Sequence, residues 1–458
     1  ELEDIKRRAR FYVPEVDKLE VLTSTIPGEI LNTRDPILLF CDPAVVPDIV
    51  LSQRHRVFNV DYRRNPTDGW DWIYLARYLD VPPPDWLTNS KRKFVHYVEQ
   101  LRLERMEKTY IFGTGPTLEK AITRDWGDGY RVVCNTIVRD VELWKHIAPH
   151  FIVAADAIYH FGHTAFAYAF RSDLAKRLRE GGTYFVYPVD FDVIVRRELG
   201  EFAEWLVPVP VNGAIRRLDI DMTTEFCFPG LGNVLALALL PVACTLSKNI
   251  YLWGFDGRAP NDRLFWSNSP KHSYPELLSE LQKAHPKFFE HYVPQNDPEK
   301  YVRQVHGDEL DALMTQAEQR GFSFTMMHKT WTPTLRKRLA VHEDVTPLLK
   351  MAEEAFAQGD LDTAERHYLD ALMTEPYHAE ILAALGDLEY RRERYEDSLQ
   401  WFIRATRNDS SCVPAWAGLA KIADLFGNTE VAYKALIKLS ELAPNHSVFV
   451  ELGPQYLK

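Results

Sequence analysis

The sequence predicts an α/β fold, a mostly parallel sheet with helices on both faces, followed by an all-α helical repeat domain. Three observations carry this. Between about residues 106 and 340, short apolar runs alternate with amphipathic stretches, the pattern of strands joined by helical crossovers. Several of those runs end in glycine or a small polar residue. From about Val345 to Ser447, small and large apolar residues recur with a period of about 34. We divide the chain into an N-terminal α/β region (1–105), a larger α/β domain (106–340) and a repeat domain (341–458).

The elements follow in chain order. "PILLFCD" (Pro36–Asp42) and "HRVFNVDY" (His55–Tyr62) read as strands around a helical "AVVPDIVLSQ", a β-α-β unit. "PPPDW" (Pro82–Trp86) breaks the chain, and a charged helix covers Lys91–Lys108. "YIFG" is a strand and "TLEKAITRDW" a helix. "YRVVCNT" (Tyr130–Thr136) and "PHFIVAAD" (Pro149–Asp156) are strands, the latter followed by a helix reaching Arg179. "GTYFVYPV" (Gly182–Val189) is a further strand. A glycine turn, "FPGLGN" (Phe228–Asn233), opens an apolar helix over Val234–Leu246. "NIYLWGFD" (Asn249–Asp256) and "FSFTMMH" (Phe322–His328) are the last strands, with a helix at Asp308–Arg320 between them. This arrangement is Rossmann-like, and such sheets bind ligands at their carboxyl ends.

The C-terminal period resembles the tetratricopeptide repeat. Ala352, Gly386 and Ala420 fall in register, as do Ala364, Ser398 and Ala432. So do Tyr368, Phe402 and Leu436, and Pro376, Ser410 and Pro444. Small residues stand where paired helices approach, large ones where the pair fills its core, and proline where the second helix ends.

Composition narrows the function. The 458 residues carry a formal net charge of −11, which opposes a general nucleic-acid binder. Cys41, Cys134, Cys227, Cys244 and Cys412 show no C-x-x-C spacing, so reduced thiols without a zinc site are expected. The longest apolar stretch, Leu231–Leu246, is short for a span and contains Pro241. No signal peptide is visible. The expected location is cytoplasmic, with the inner face of a membrane as a peripheral option.

Four strand ends hold chemistry-bearing residues: Gly113-Thr114-Gly115-Pro116-Thr117, Asn135-Thr136, Asp156 with Tyr159-His160, and Gly254-Phe255-Asp256-Gly257-Arg258. Glycine lets backbone approach a phosphate, and N–H groups at a helix start attract an anion. Asn135, Asp156 and Asp256 each read equally well as caps or turn residues.

The order "FGTGPTL", "VVCN", "FPGLGNVLALALL", "NIYLWGFDGR" resembles the bacterial sialyltransferases of the Campylobacter type. It also resembles the related 6-hydroxymethylpterin diphosphokinase-like domain, found in flagellin nonulosonate-transferase-like motility accessory factors. The resemblance covers roughly Lys108–Lys329. It implies a glycosyltransferase that moves an acidic sugar (sialic, another nonulosonic acid or Kdo) from a CMP-sugar to a hydroxyl of a glycan or protein. No cofactor or metal beyond that donor is implied. Gly113, Thr114, Gly115 and Asn135 fall on donor-contacting positions, and Thr114 stands where the family usually has Asn. Gly230, Gly232 and Asn233 fall near the nucleotide, Gly254 and Asp256 match the glycine–aspartate strand end, and the resemblance counts Asp256 with His306 and Arg258 as catalytic. Pro116, Thr117, Thr136 and Asp156 complete the expected donor site.

The family's phosphate-steadying tyrosines are replaced by Gly257 and Arg258, and the Arg258 guanidinium suits that role. The resemblance places the general base at His306, with His272, His160 and His163 as rivals. A retaining reaction would need a carboxylate nucleophile, Asp156 or Glu225. "DFD" (Asp190–Asp192) and "DID" (Asp219–Asp221) read as solvated turns, and no metal site is expected. Two other readings stay open. One is an ATP/Mg-dependent pterin-type diphosphokinase with Asp156 and Asp256 on the metal. The other is a non-catalytic nucleotide-binding scaffold whose repeats dock a protein partner.

Overall fold

The computed structural model describes residues 2–15, 34–41, 50, 53–259, 269–292, 308–340, 345–375 and 378–457. The chain divides into two compact units, Glu1–His328 with Thr332–Ala340, and Lys329–Trp331 with Val341–Lys458. The N-terminal stretch, read from sequence as a region of its own, therefore belongs to the α/β unit.

That unit is built on seven parallel strands. In chain order they are β3 (Lys108–Phe112), β4 (Tyr130–Cys134), β5 (Phe151–Val153), β6 (Tyr184–Pro188), β7 (Leu206–Val209), β10 (Asn249–Trp253) and β11 (Ser323–Met326). Two further pairs are also parallel: β1 (Ile37–Leu39) with β2 (Val57–Asn59), and β8 (Val211–Asn212) with β9 (Phe228–Pro229). The order across the large sheet is β11-β10-β3-β4-β5-β6-β7. From β3 the chain steps outward one strand at a time to β7. It then returns to the other side of β3 with β10 and continues to β11. The winding thus reverses between β3 and β10.

Alternation along the strands feeds two cores. Tyr110, Phe112, Val133, Ile152, Phe185 and Tyr187 face one, with helices Asp68–Leu79 and Ala165–Glu180. Ile111, Val132, Phe151, Val153, Val186 and Val207 face the other, with helix Pro84–Arg102 and the apolar segment Leu235–Leu246. A sheet covered on both faces requires apolar residues at successive strand positions, and these strands have them.

Four differences from the sequence reading have physical causes. β7, "LVPV", is an edge strand whose Pro208 disguised it, and an edge is where proline is tolerated. Helix Asp68–Leu79 opens inside the turn-rich "NPTDG", a stretch to which the sequence reading assigns no element. "PTLEKAIT" winds as a 3₁₀-helix rather than an α-helix. The apolar helix begins as a π-turn at Leu235–Leu239 and becomes α-helical at Leu240, beside Pro241.

The second unit is three helix pairs and a last helix: Thr346–Ala357 with Leu361–Thr374, Ala379–Arg391 with Tyr395–Asn408, Val413–Leu425 with Thr429–Leu442, then Ser447–Tyr456. The register residues Ala352, Ala420, Ala364, Ser398, Ala432, Tyr368, Phe402 and Leu436 are all buried. Pro376 lies outside the described residues. The centre is Phe402. A Cβ on Gly386 would stand 2.6 Å from its ring, and one on Gly418 2.1 Å. Ser398 donates to the Gly386 carbonyl at 2.7 Å, closing the same contact. Arg392 binds Glu389 at 2.9 Å and Glu365 at 2.6 Å, joining the first pair to the second.

Because Phe402 is pinned from two sides, it has no room to yield. Gly418→Ala should destabilise the repeat unit by about 1–3 kcal/mol. The check is a lowered midpoint of the helical thermal transition by circular dichroism. An unchanged midpoint would show that the ring is not wedged as described.

Candidate functional site

The winding reverses between β3 and β10, and the carboxyl ends of strands at such a reversal are where open α/β sheets bind ligands. The two glycine turns meet there. Gly113 N–H donates to the Trp253 carbonyl and Gly115 N–H to the Gly254 carbonyl, both at 2.8 Å. A Cβ on Gly113 would stand 2.6 Å from the Gly254 carbonyl oxygen, and one on Gly254, at φ +75°, 2.4 Å from that of Gly113. At Gly115 an added Cβ would fall 2.2 Å from Asp256 Oδ2. The glycines thus let two backbones and a carboxylate share one space.

Asp256 is almost fully buried. Both its oxygens accept from the Thr117 N–H at 3.2 Å, and Oδ1 also accepts from the Thr117 hydroxyl. It caps the 3₁₀-helix Pro116–Thr123, placing negative charge where the helix start favours it. The N–H groups of Gly113, Gly115 and Thr117, expected from sequence to face a phosphate, are therefore engaged by protein acceptors. His328, which the sequence reading did not single out, accepts from the Gly254 N–H at 2.8 Å through Nε2. A neutral His328 ring then carries its proton on Nδ1. Thr114 and Arg258 are both buried beside these turns.

At the end of β4, Asn135 adopts φ +53°, a left-handed conformation that asparagine tolerates. It is 9% exposed, and its Oδ1 has no hydrogen-bond partner. The Thr136 hydroxyl donates to the His272 carbonyl, bringing the segment Ser269–Glu276 over this strand end. Arg139 supports it by donating to the Ser273 carbonyl and pairing with Glu276 at 3.0 Å. His272 is fully buried and donates from Nε2 to Asp140 Oδ2 at 3.1 Å. Asp140 Oδ1 accepts from Leu143 N–H at 3.0 Å, capping helix Val141–Ile147. Burial holds the His272 pKa below its ordinary value, against the opposing pull of Asp140. The neutral ring leaves Nδ1 as an acceptor, and it too is buried without a partner.

At the end of β5, Asp156 Oδ1 accepts from the N–H groups of Ile158 and Tyr159 at 2.9 and 2.8 Å. Burial raises its pKa to about 6, despite those bonds and the influence of His285. Tyr159 packs on Phe166 and Phe288. His160 sits against Phe170 and His163 beside Tyr12 and His285. Both histidines lie among aromatic side chains, those around His163 coming from the N-terminal helix.

Other sequence candidates are taken up elsewhere. Gly230 is a close approach, since a Cβ there would stand 2.6 Å from Gly213 Cα, whereas one on Gly232 meets nothing within 4 Å. Asn233 Oδ1 accepts from Ala236 N–H at 3.0 Å, capping the apolar segment. Glu225 pairs with Arg217, Asp190 with Arg77, and Asp219 with Arg320. Asp192 accepts from Trp86, Tyr187 and Arg196, and Asp221 from Thr223 and Arg102. Among the described residues, no three His, Cys, Asp or Glu side chains group as a metal site. His306 lies outside the described residues.

A family model for the tetratricopeptide repeat matches residues 355–422. No curated protein matches the chain. Among solved structures, the first tetratricopeptide repeat domain of Spaghetti (RPAP3), bound to the HSP90 peptide SRMEEVD, is similar at 18% identity. The match covers 26% of this chain and 96% of that one, with a TM-score of 0.24. The chain thus carries a tetratricopeptide repeat in its C-terminal unit. No described helix is long and apolar enough to cross a membrane.

Two expectations follow. Gly115→Ala should cost about 1–3 kcal/mol because the methyl group meets Asp256 and the Gly254 carbonyl. Gly232→Ala should be near neutral, and equal urea midpoints for the two variants would contradict the lock.

The second concerns pH. Burial holds His150 and His160 at about 3, and His163 well below its ordinary value, so all three stay neutral when folded. Their contribution is present above the unfolded value of about 6.5 and is lost as pH falls. Asp71 and Asp156, both raised to about 6 by burial, act oppositely between about pH 6 and 4. Stability should decline gently from pH 6.5 to 4 and then steeply, by about 1.4 kcal/mol per pH unit for each unbalanced proton. Urea midpoints measured across this range check it, and a flat profile down to pH 4 with no later steepening would contradict it.

Proposed function

We propose that the α/β unit is a glycosyltransferase that moves an acidic sugar from a CMP-linked donor to a hydroxyl of a glycan or protein. The repeats are proposed to engage a protein partner. One observation carries the nucleotide part. At the end of β4, beside the winding reversal, two buried acceptors, Asn135 Oδ1 and His272 Nδ1, have no donor. A buried acceptor without a donor is destabilising, so this strand end favours a ligand that brings N–H or O–H groups. Cytosine supplies an amino group and ribose supplies hydroxyls. In this reading the base and ribose lie against β4, and the phosphate lies towards Arg258.

Asp256 shapes the turn through Thr117 rather than touching the donor. His306 takes the proton of the incoming hydroxyl as the phosphate leaves. Asp256, both of whose oxygens accept from Thr117, weighs against the Mg-dependent diphosphokinase, which would place that carboxylate on the metal.

Thermal stabilisation by CMP, CDP, UDP, GDP and ATP, each with and without Mg²⁺, tests the reading. CMP without metal should stabilise the full chain selectively, and Asn135→Ala should weaken its binding about tenfold. His306→Ala should slow sugar transfer about 10²–10⁴-fold with CMP affinity retained. A shift confined to ATP with Mg²⁺ would replace the proposal with the kinase. No shift with any nucleotide would leave a scaffold.

A further inference from the structure

The first helices of the three repeat pairs carry a polar column that their packing does not use. Glu353, Asp387 and Lys421 stand one repeat period apart, each directly after a register residue, Ala352, Gly386 or Ala420. Glu353 and Lys421 are exposed, and Asp387 is half-buried. A neighbouring contact fixes the face they share. Glu353 and Phe356 are one turn apart on helix Thr346–Ala357, and Asp387 and Arg391 one turn apart on helix Ala379–Arg391. The Arg391 guanidinium lies 3.8 Å from the centre of the Phe356 ring, and its Nη1 donates to the Phe356 carbonyl at 3.1 Å. The faces that hold Glu353 and Asp387 therefore meet.

Arg391 is engaged by Phe356, and Lys421 forms no ion pair with Asp387. Among the described residues the Asp387 carboxylate has neither a hydrogen bond nor an ion pair. Burial raises its pKa, against the pull of Lys421 and Arg391. A partly desolvated, unpaired carboxylate is destabilising.

Tyr368 gives a second, independent sign. Its side chain, from helix Leu361–Thr374, is only 5% exposed. Its hydroxyl has no hydrogen-bond partner among the described residues. Burial acts on that hydroxyl first, and then the charges of Glu353 and Asp387. A nearly buried phenol oxygen and two carboxylates thus face one place. An anion would be repelled there, and a neutral group would leave the charge unmet. A guanidinium or ammonium brings both positive charge and several N–H donors.

Lys421 extends the column with the opposite sign. The first helices of the second and third pairs are in contact, and packed helices lie about 10 Å apart. An extended chain covers that distance in about three residues at ~3.3 Å each.

We propose that this face of the repeat unit binds an extended segment with a basic side chain on Glu353, Tyr368 and Asp387, and an acidic one about three residues away on Lys421. That the segment belongs to a protein partner rests on the role proposed above for the repeats.

The test titrates three N-acetylated, C-amidated peptides separately into the full chain by ligand-observed NMR: Gly-Arg-Gly-Gly-Glu-Gly, the same peptide with Gln for Arg, and Gly-Glu-Gly-Gly-Glu-Gly. Wild type should bind the arginine peptide about tenfold more tightly than the glutamine peptide. Asp387→Asn and Tyr368→Phe should each weaken the arginine peptide about fivefold or more. Lys421→Glu changes an exposed side chain, so the test holds even if a change at the buried residues unfolds the unit, and it should also weaken binding. Equal binding of the arginine and glutamine peptides, or no loss in any variant, would overturn the proposal. Binding of the glutamate peptide alone would overturn it and leave the repeats a peptide-binding unit. Binding of none of the three would overturn it and count against that role as well.

Discussion

At the point where the sheet reverses direction, two backbones and one carboxylate occupy a space that no side chain at Gly113, Gly115 or Gly254 would leave open. Asp256 holds this junction by accepting from Thr117, in the first turn of the 3₁₀-helix that leads the chain towards β4. The junction decides where the edge of the crevice lies. It also decides what the crevice offers: the glycine turn's amides face protein, while the strand end beside it, at Asn135 and His272, presents acceptors. A glycine-rich turn is usually read as a phosphate cradle. Here close packing and helix capping explain the same glycines, and the ligand signal moves to the neighbouring strand.

Much of this fold was legible in the sequence because the strands are buried on both faces. Runs such as "YIF", "VVC" and "FIV" carry few alternatives once helical stretches separate them. β7 was illegible because an edge strand tolerates the proline that argues against a central one. At the site, Gly113, Gly115, Asn135, Thr136 and Asp256 were visible as strand-end residues. The engagement of Asp256 with Thr117 was not, because it joins positions 139 residues apart. The same holds for Arg8, Asp68, His163 and His285, which come from four distant segments with no shared spacing and meet only on folding. His272 was legible as a histidine of interest but not as a buried ring held by Asp140 over β4.

The repeat unit solves a simpler problem. Each helix pair must bury a large side chain against small ones, and the register of Ala, Gly and Ser with Tyr, Phe and Leu does this three times. Phe402 between Gly386 and Gly418 is the tightest case, since its ring fills space that two neighbouring helices leave vacant. The Arg392 network joins adjacent pairs through Glu365 and Glu389. A period set by packing survives wide variation in exposed residues. That is why a repeat signal stands out in this unit.

The central claim is that the ends of β3, β4 and β10 bind a nucleotide through donors on the nucleotide rather than through amides of the glycine turn. A crystal structure of the full chain with CMP tests it most directly. The account predicts CMP at these strand ends, with Asn135 Oδ1 and His272 Nδ1 each accepting from the base or ribose and Asp256 still bound to Thr117. CMP bound elsewhere, or bound with its phosphate on the Gly113–Thr117 amides and Asp256 displaced, would contradict it.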